Sequence, residues 1–261
     1  MDALLKVDHV SKIFGGLRAV NDVSMEVHEN SIVSLIGPNG AGKTTLFNVI
    51  TGFYQADEGD IFFDGIRIND KKVDEYVRFG VARTFQNVRI FKELTVLENV
   101  IAGFQGTEKG TVVGTLFNTG KKRKSEMLVK EKAYDLLKEF HYEQYADQKC
   151  KNLPYGIQKK LEIIRALACD PKLLLLDEPA AGLNNQESME LRNYIDELKG
   201  RGHTILLIEH DMKLVMDISD YVYVLNSGSL LTKGSPGEVQ SDPRVIEVYM
   251  GKRRDGNVVG K

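Results

Sequence analysis

The stretch IVSLIGPNGAGKTTLFNVI constrains this chain more than any other. Ile32–Ile36 is a nearly continuous apolar run, as in a strand covered on both faces, and LFNVITG carries a helical pattern. Between them, Gly37-Pro38-Asn39-Gly40-Ala41-Gly42-Lys43-Thr44 fits the spacing GxxxxGK[ST]. Glycines let the backbone curl so that successive N–H groups face one anion, and the following helix points its positive end at that anion. Lys43 is then placed for the outer phosphates of a nucleotide, and the Thr44 hydroxyl for Mg²⁺, with Thr45 continuing the cradle. A glycine-rich turn that binds nothing would not need strand, loop, Lys-Thr and helix all in register.

A triphosphate also needs a carboxylate for its metal and a means of activating water. The run Leu173-Leu174-Leu175-Leu176-Asp177-Glu178 supplies both at the carboxyl end of a second apolar strand, where open α/β sheets bind ligands. Asp177 is expected to hold Mg²⁺ and Glu178 to polarise the attacking water. Capping of the next helix is the plainer role for such a pair. A third apolar strand, Thr204–Ile208, runs into Glu209-His210-Asp211, which offers His210 as a donor to a γ-phosphate oxygen. No guanine-reading N-K-x-D follows, which argues against a GTPase.

Around these motifs, β-type runs alternate with helical ones, the order of an α/β protein with a largely parallel sheet. Val23–Val27 alternates as a strand with one wet face, and Gly65, 226–228 and 234–237 read as turns. From Thr95 to Ala168 the pattern is mainly helical, with Ala133, Leu136, Leu137 and Phe140 on one face. Within it, residues 105–124 lack periodicity and read as a mobile loop. Its basic run Lys121-Lys122-Arg123-Lys124 suits a solvated helix entrance, or a partner or lipid headgroup. The net charge of −2 gives no electrostatic case for nucleic acid or an anionic membrane. No apolar run is long enough to span a bilayer and no signal peptide is visible at the start, so a cytosolic protein is expected. Cys150 and Cys169 match no metal spacing and fit a reducing compartment; Cys169 reads as a buried structural thiol.

The order of these motifs resembles the ATP-binding cassette ATPases of ABC transporters over nearly the whole chain. The matches run through the cradle, ARTFQNVRIF, NLPYGIQKKLEIIRALACDPKLLLLDEPAAGLN and LLIEHDM. More narrowly, GPNGAGKTTLFNVITGFYQADEGDIFFDG, RTFQNVRIFKELTVLENV, DEPAAGLN and SDPRVIEVYMG look like the Liv-type ATPases of branched-chain amino acid importers. The resemblance implies a P-loop NTPase (RecA-like) core with an antiparallel β subdomain and a helical subdomain. The core would take 1–91 and 166–261, and the helical part 92–165. It implies ATP and Mg²⁺ as ligands. Phe14 would stack on adenine, though core packing explains an aromatic there too. Gln86 would sense Mg²⁺ and γ-phosphate, and 181–184 (Ala-Gly-Leu-Asn) would cross a dimer interface.

NLPYGIQKK then takes the place of the family's LSGGQ signature, with Pro154, Tyr155 and Ile157 departing from it. Pro is tolerated in a helix's first turn, and Gly156 leaves room for a γ-phosphate. The lost Ser hydroxyl is one donor fewer. The implied partners are permease subunits, a second cassette subunit in a homo- or heterodimer, and indirectly a solute-binding protein, at the cytoplasmic face of the membrane. Val88, Ile90 and Phe91 would anchor a permease helix, unless they are core. An exporter cassette, such as the lipopolysaccharide-extraction type, and a soluble non-transport cassette protein remain the alternatives.

Overall fold

The computed structural model describes residues 3–104 and 119–250, with the side chains of 119–123 and 250 left out. It falls into two compact units: one runs to Asp70 and resumes at Leu206, and the other is Lys71–Ile205.

In the first unit, β1 (Leu5–Phe14), β2 (Leu17–Val27), β4 (Glu58–Phe63) and β5 (Ile66–Arg67) form an antiparallel sheet in the order β2-β1-β4-β5. Val7, Val10, Val20, Val23 and Val27 are buried in it, and the alternation over 23–27 is as expected. β3 (Ile32–Ile36) is buried at all five positions. It pairs in parallel with β9 (Tyr221–Asn226), which pairs antiparallel with β10 (Ser229–Gly234). Asp220 fixes the start of β3 by accepting from the Ile32 N–H at 2.9 Å. Behind Ile36 lies an apolar cluster of Val215, Val222, Val224, Val239 and Val245. It is completed by α7 (Met212–Ile218), α8 (Pro236–Ser241) and α9 (Pro243–Met250). The 234–237 segment, read from its Gly and Pro as a turn, starts α8 instead. Ser235 caps it in a capping box with Glu238, and Pro236 takes the first helical position, where no N–H is needed.

In the second unit, α2 (Val73–Phe79) leads through Gly80 into β6 (Val81–Arg83), which pairs in parallel with the fully buried β7 (Leu173–Asp177). The helices α3 (Val96–Phe104), α4 (Thr119–Glu139) and α5 (Tyr155–Leu167) make up the predicted helical stretch. Ala133 and Leu137 are buried on one face of α4, and Phe140 is buried in the turn just past its end, with Leu136 half-buried. Of the 105–124 loop reading, 105–118 lie outside the described residues, and 119–124 correct it by beginning α4, so the basic run sits in a helix. α6 (Asn185–Gly200) starts from Asn184, whose side chain accepts from the Gln186 and Glu187 N–H groups. β8 (Thr204–Ile208), buried throughout, begins in this unit and ends in the first. The two units meet in the chain at 70/71 and 205/206, so 71–91 and 166–205 belong to the same unit as these helices.

Cys150 is fully buried, and burial pushes its thiol up to about 11, an inert structural group. Cys169, read as buried, is only half-buried, with its Sγ directed at the Gly103 carbonyl at 3.4 Å. Among the described residues no helix is long and apolar enough to cross a membrane.

Candidate active site

The predicted cradle forms where β3 ends. Gly37, Gly40 and Gly42 all take positive φ, and Gly42 (φ 99°) is the N-cap of α1 (Lys43–Ile50). The loop is braced by Ala41 N–H on the Pro38 carbonyl at 3.1 Å and by Gly228 N–H on the Ala41 carbonyl at 3.0 Å. Two glycines are fixed by contact as well as by φ. A Cβ on Gly37 would lie 2.2 Å from the Leu225 carbonyl oxygen, and one on Gly42 2.3 Å from that of Ala19. Both neighbours are backbone and cannot swing aside. Gly42→Ala is therefore expected to destabilise the fold by about 1–3 kcal/mol and weaken nucleotide binding with it. A lower thermal midpoint together with a weaker ATP titration checks this.

Lys43 is 6% exposed, and its Nζ donates to the Gly37 and Pro38 carbonyls at 2.6 and 3.1 Å. The ammonium is thus held over the loop by the loop itself. Thr44 lies exposed in the first turn of α1, beside half-buried Thr45. In the same unit, Phe14 ends β1 as an exposed ring, in edge contact with Tyr54 at 5.2 Å between centroids and with Lys12 Nζ 5.3 Å over its face. That leaves it a surface aromatic, as stacking on a base requires, and not core. His210 follows β8, its side chain 58% exposed, and its Nδ1 lies 3.9 Å from the buried Glu209 carboxylate.

The second unit holds the acids. β7 delivers Asp177, 5% exposed, and its Oδ2 accepts from Arg83 Nη2 at 2.6 Å. Arg83 closes the neighbouring strand β6, so parallel pairing sets this contact. The next residue, Glu178, stands at φ 47°, in the left-handed region an acid side chain seldom adopts. Such an outlier costs about 1–3 kcal/mol and persists where the surroundings enforce it, most often at functional sites. Here a turn enforces it, with Ala181 N–H on the Glu178 carbonyl at 3.1 Å. The twist aims the carboxylate at Gln86, whose Nε2 donates to Glu178 Oε2 at 2.7 Å. Gln86 and Glu178, 92 residues apart, are thereby brought together as the site would need.

The segment around Gln86 is irregular and runs from the end of β6 to α3. Ile90 is buried and Phe91 is 55% exposed, so the proposed apolar anchor divides between core and surface. Asn99, fully buried, accepts from the Phe91 N–H and donates to its carbonyl, which fixes the base from which Phe91 projects.

The signature stretch starts α5. Pro154 occupies the N-cap, one position before the first turn where it was placed, and makes no side-chain cap bond. Gly156 lies in the first turn and is buried; a Cβ there would meet Glu187 Oε1 at 3.0 Å. Its close approach within this chain is therefore to the start of α6. Gly182 (φ 80°), in the turn before Asn184, likewise packs against the Tyr155 ring.

Two charged residues on α5 escaped the sequence reading. Lys159 is 3% and Glu162 2% exposed, on a helix whose apolar text LEIIRAL reads as plain core. Lys159 Nζ donates to the Gln86 carbonyl at 2.6 Å and lies 3.5 Å from that of Glu178. Glu162 Oε1 accepts from the Arg89 N–H at 3.1 Å. Burial pushes the Glu162 carboxyl up, against the pull of the Arg89 N–H and the nearby Arg165 and Lys159. The only sequence hint was a Lys and a Glu three apart inside an amphipathic helix.

The profile of the ABC transporter family matches residues 20–181. The chain is an ABC transporter ATPase. A second profile, described as branched-chain amino acid ATP-binding cassette transporter, matches residues 229–255. Among relatives of this ATPase is the high-affinity branched-chain amino acid transport ATP-binding protein BraF of Pseudomonas aeruginosa. It is 45% identical over 250 residues, covering 95% of this chain and 98% of the relative. LivG of Escherichia coli, a protein of the same description, is 44% identical over the same shares. A solved ADP conformation of an ABC transporter cassette superposes with a TM-score of 0.84 at 36% identity, covering 97% of this chain and all of that one. The dimeric structure of a post-hydrolysis cassette bound to ADP and Pi matches at a TM-score of 0.72 and 25% identity, over 89% of this chain and 98% of that one. The expected α/β fold of a P-loop ATPase cassette is thereby borne out.

Proposed function

We propose that this ABC ATPase energises import of branched-chain amino acids, working as one of two cassette subunits beneath membrane permeases on the cytoplasmic face. The support for the substrate class is the end-to-end likeness to transport subunits of that description. The observation that carries the catalytic reading is the Gln86 amide on the Glu178 carboxylate at the end of β7.

In this reading the cradle, with Lys43 and Thr44, takes the phosphates of ATP, and Phe14 stacks on its base. Glu178 draws the proton from the attacking water, and His210 donates to the γ-phosphate. Mg²⁺ fits the donors present. Thr44, Asp177 and Gln86 offer hard oxygens, and among the described residues no cluster of three or more His, Cys, Asp or Glu exists. A magnesium site borrows most of its ligands from phosphates and water, so a full protein cage is not required. When bound, such an ion would supply positive charge that offsets the charge of the phosphates. ATP shared between two cassettes would favour their closed state through charge-assisted hydrogen bonds, and hydrolysis would remove that preference. A solute-binding protein would deliver the cargo, which never touches this chain.

The test is hydrolysis in proteoliposomes holding the complex purified from membranes through this chain. Leucine, isoleucine or valine, presented with the binding protein, should stimulate ATP turnover and drive uptake. Stimulation by another solute alone would overturn the substrate class.

The signature loop gives a second test. Pro154 leaves the N-cap of α5 without a side-chain acceptor, which Ser would supply at about 0.5–2 kcal/mol. Pro154→Ser is therefore expected to raise both the thermal midpoint and ATP-driven dimerisation, the latter by a fewfold. Dimerisation measured by light scattering with a hydrolysis-deficient partner decides it, and an unchanged value removes the idea that Pro154 weakens this half-site.

A further inference from the structure

We infer that Lys159 is a positioning residue for hydrolysis: from α5 it holds the backbones of Gln86 and Glu178 so that their side chains meet. This rests on the roles proposed above for those two residues. The geometry is a closed circuit. Gln86 Nε2 donates to Glu178 Oε2 at 2.7 Å, while the Lys159 ammonium reaches the main-chain oxygen of each, at 2.6 and 3.5 Å.

The arrangement is unusual for a lysine. An ammonium at 3% exposure loses most of its hydration, and only strong acceptors restore it. Packing alone would be served as well by leucine or methionine on this face. A buried charge directed at two carbonyls instead specifies where those carbonyls sit. Glu162, one turn further along the same face of α5, extends the hold by accepting from the Arg89 N–H at 3.1 Å. Gly156, one turn earlier, packs closely on Glu187. The first two turns of α5 therefore grip the Gln86 segment and the Glu178 turn as one body. Any movement of the signature end of α5 would be passed to both, and the amide–carboxylate pair would keep or lose its geometry together.

The experiment compares the full chain with Lys159→Met and Lys159→Arg. Lys159→Met is expected to lower kcat about 10- to 100-fold, with ATP affinity unchanged within about threefold. Lys159→Arg, which keeps a buried donor, should recover most of the loss. Hydrogen exchange provides a readout that does not need hydrolysis. In Lys159→Met, the amides of 85–91 and 178–182 should exchange faster, while those of β3 and α1 stay as in the parent. Should Lys159→Met fail to fold, Lys159→Gln, uncharged but able to donate one hydrogen bond, takes its place under the same expectations.

Unchanged exchange in both segments, or a kcat within twofold of the parent, overturns the inference. A fall in ATP affinity matching the fall in kcat also overturns it, because a merely structural role would do that. The underlying reading fails separately, if Gln86→Ala and Glu178→Gln leave turnover intact while the exchange change in Lys159→Met still occurs.

Discussion

Glu178→Gln is expected to leave ATP binding nearly untouched and to lower turnover about 10²- to 10⁴-fold, the range a positioned general base contributes. The structure makes this a clean substitution. Cβ is retained, so the left-handed backbone at φ 47° keeps the same cost, and the turn closed by the Ala181 N–H is preserved. The new amide can still accept from Gln86 Nε2 through its oxygen, so the contact now 2.7 Å long need not break. Only the basicity is lost. ATP titration and single-turnover hydrolysis separate the two effects, and a rate within tenfold of the parent would falsify the assignment of Glu178 as base.

Lys43→Ala has the opposite profile, striking affinity first. The ammonium is buried and donates to two carbonyls of the loop it caps. Its removal takes away a cation for the outer phosphates and also cuts the tie that shapes the loop. Truncating one partner of a buried, hydrogen-bonded charge pair costs about 2–5 kcal/mol, so ATP should bind roughly 30-fold or more weakly. Isothermal titration at fixed Mg²⁺ reads this directly. Undiminished binding would count against the cradle as the phosphate site. Glu178→Gln should unfold near the parent's midpoint, whereas Lys43→Ala, which strips two buried carbonyls of their donor, should also unfold somewhat earlier.

Much of this could be read from one-dimensional text because it rests on local rules. A run of apolar residues with no polar face, such as 32–36, 173–176 or 204–208, has to be covered on both sides, and all three strands are buried along their length. Glycines at fixed offsets between strand and helix dictate positive φ, and they take it. Ala133 and Leu137 follow helical period and share a buried face. Local rules also misled in places. Gly234 to Gly237 has turn composition, yet Ser235 and Pro236 serve equally well to begin a helix, and packing of α8 under Ile36 made that choice. The basic run near 121 falls in α4, because a helix over charged residues needs only a few buried anchors further along. Cys169 has apolar neighbours in sequence, but its own position is only half-buried, with its Sγ at the Gly103 carbonyl.

What the sequence determined by itself was the set of elements and the chemistry at their ends: a curled, glycine-lined loop before α1, two acids closing β7, a histidine after β8. Those depend on φ, period and end effects, each settled within a few residues. Only the tertiary structure decided which polar groups meet. Arg83 clasps Asp177 across 94 residues, Gln86 reaches Glu178 across 92, and Lys159 spans 73 to find the Gln86 carbonyl. Partners so far apart are chosen by strand pairing and helix docking, where a buried charge must find a counterpart or the fold does not form. The stretch LEIIRAL shows why such choices are invisible beforehand. Its pattern says which face is inside, and only the neighbours packed there say that Glu162 belongs inside too.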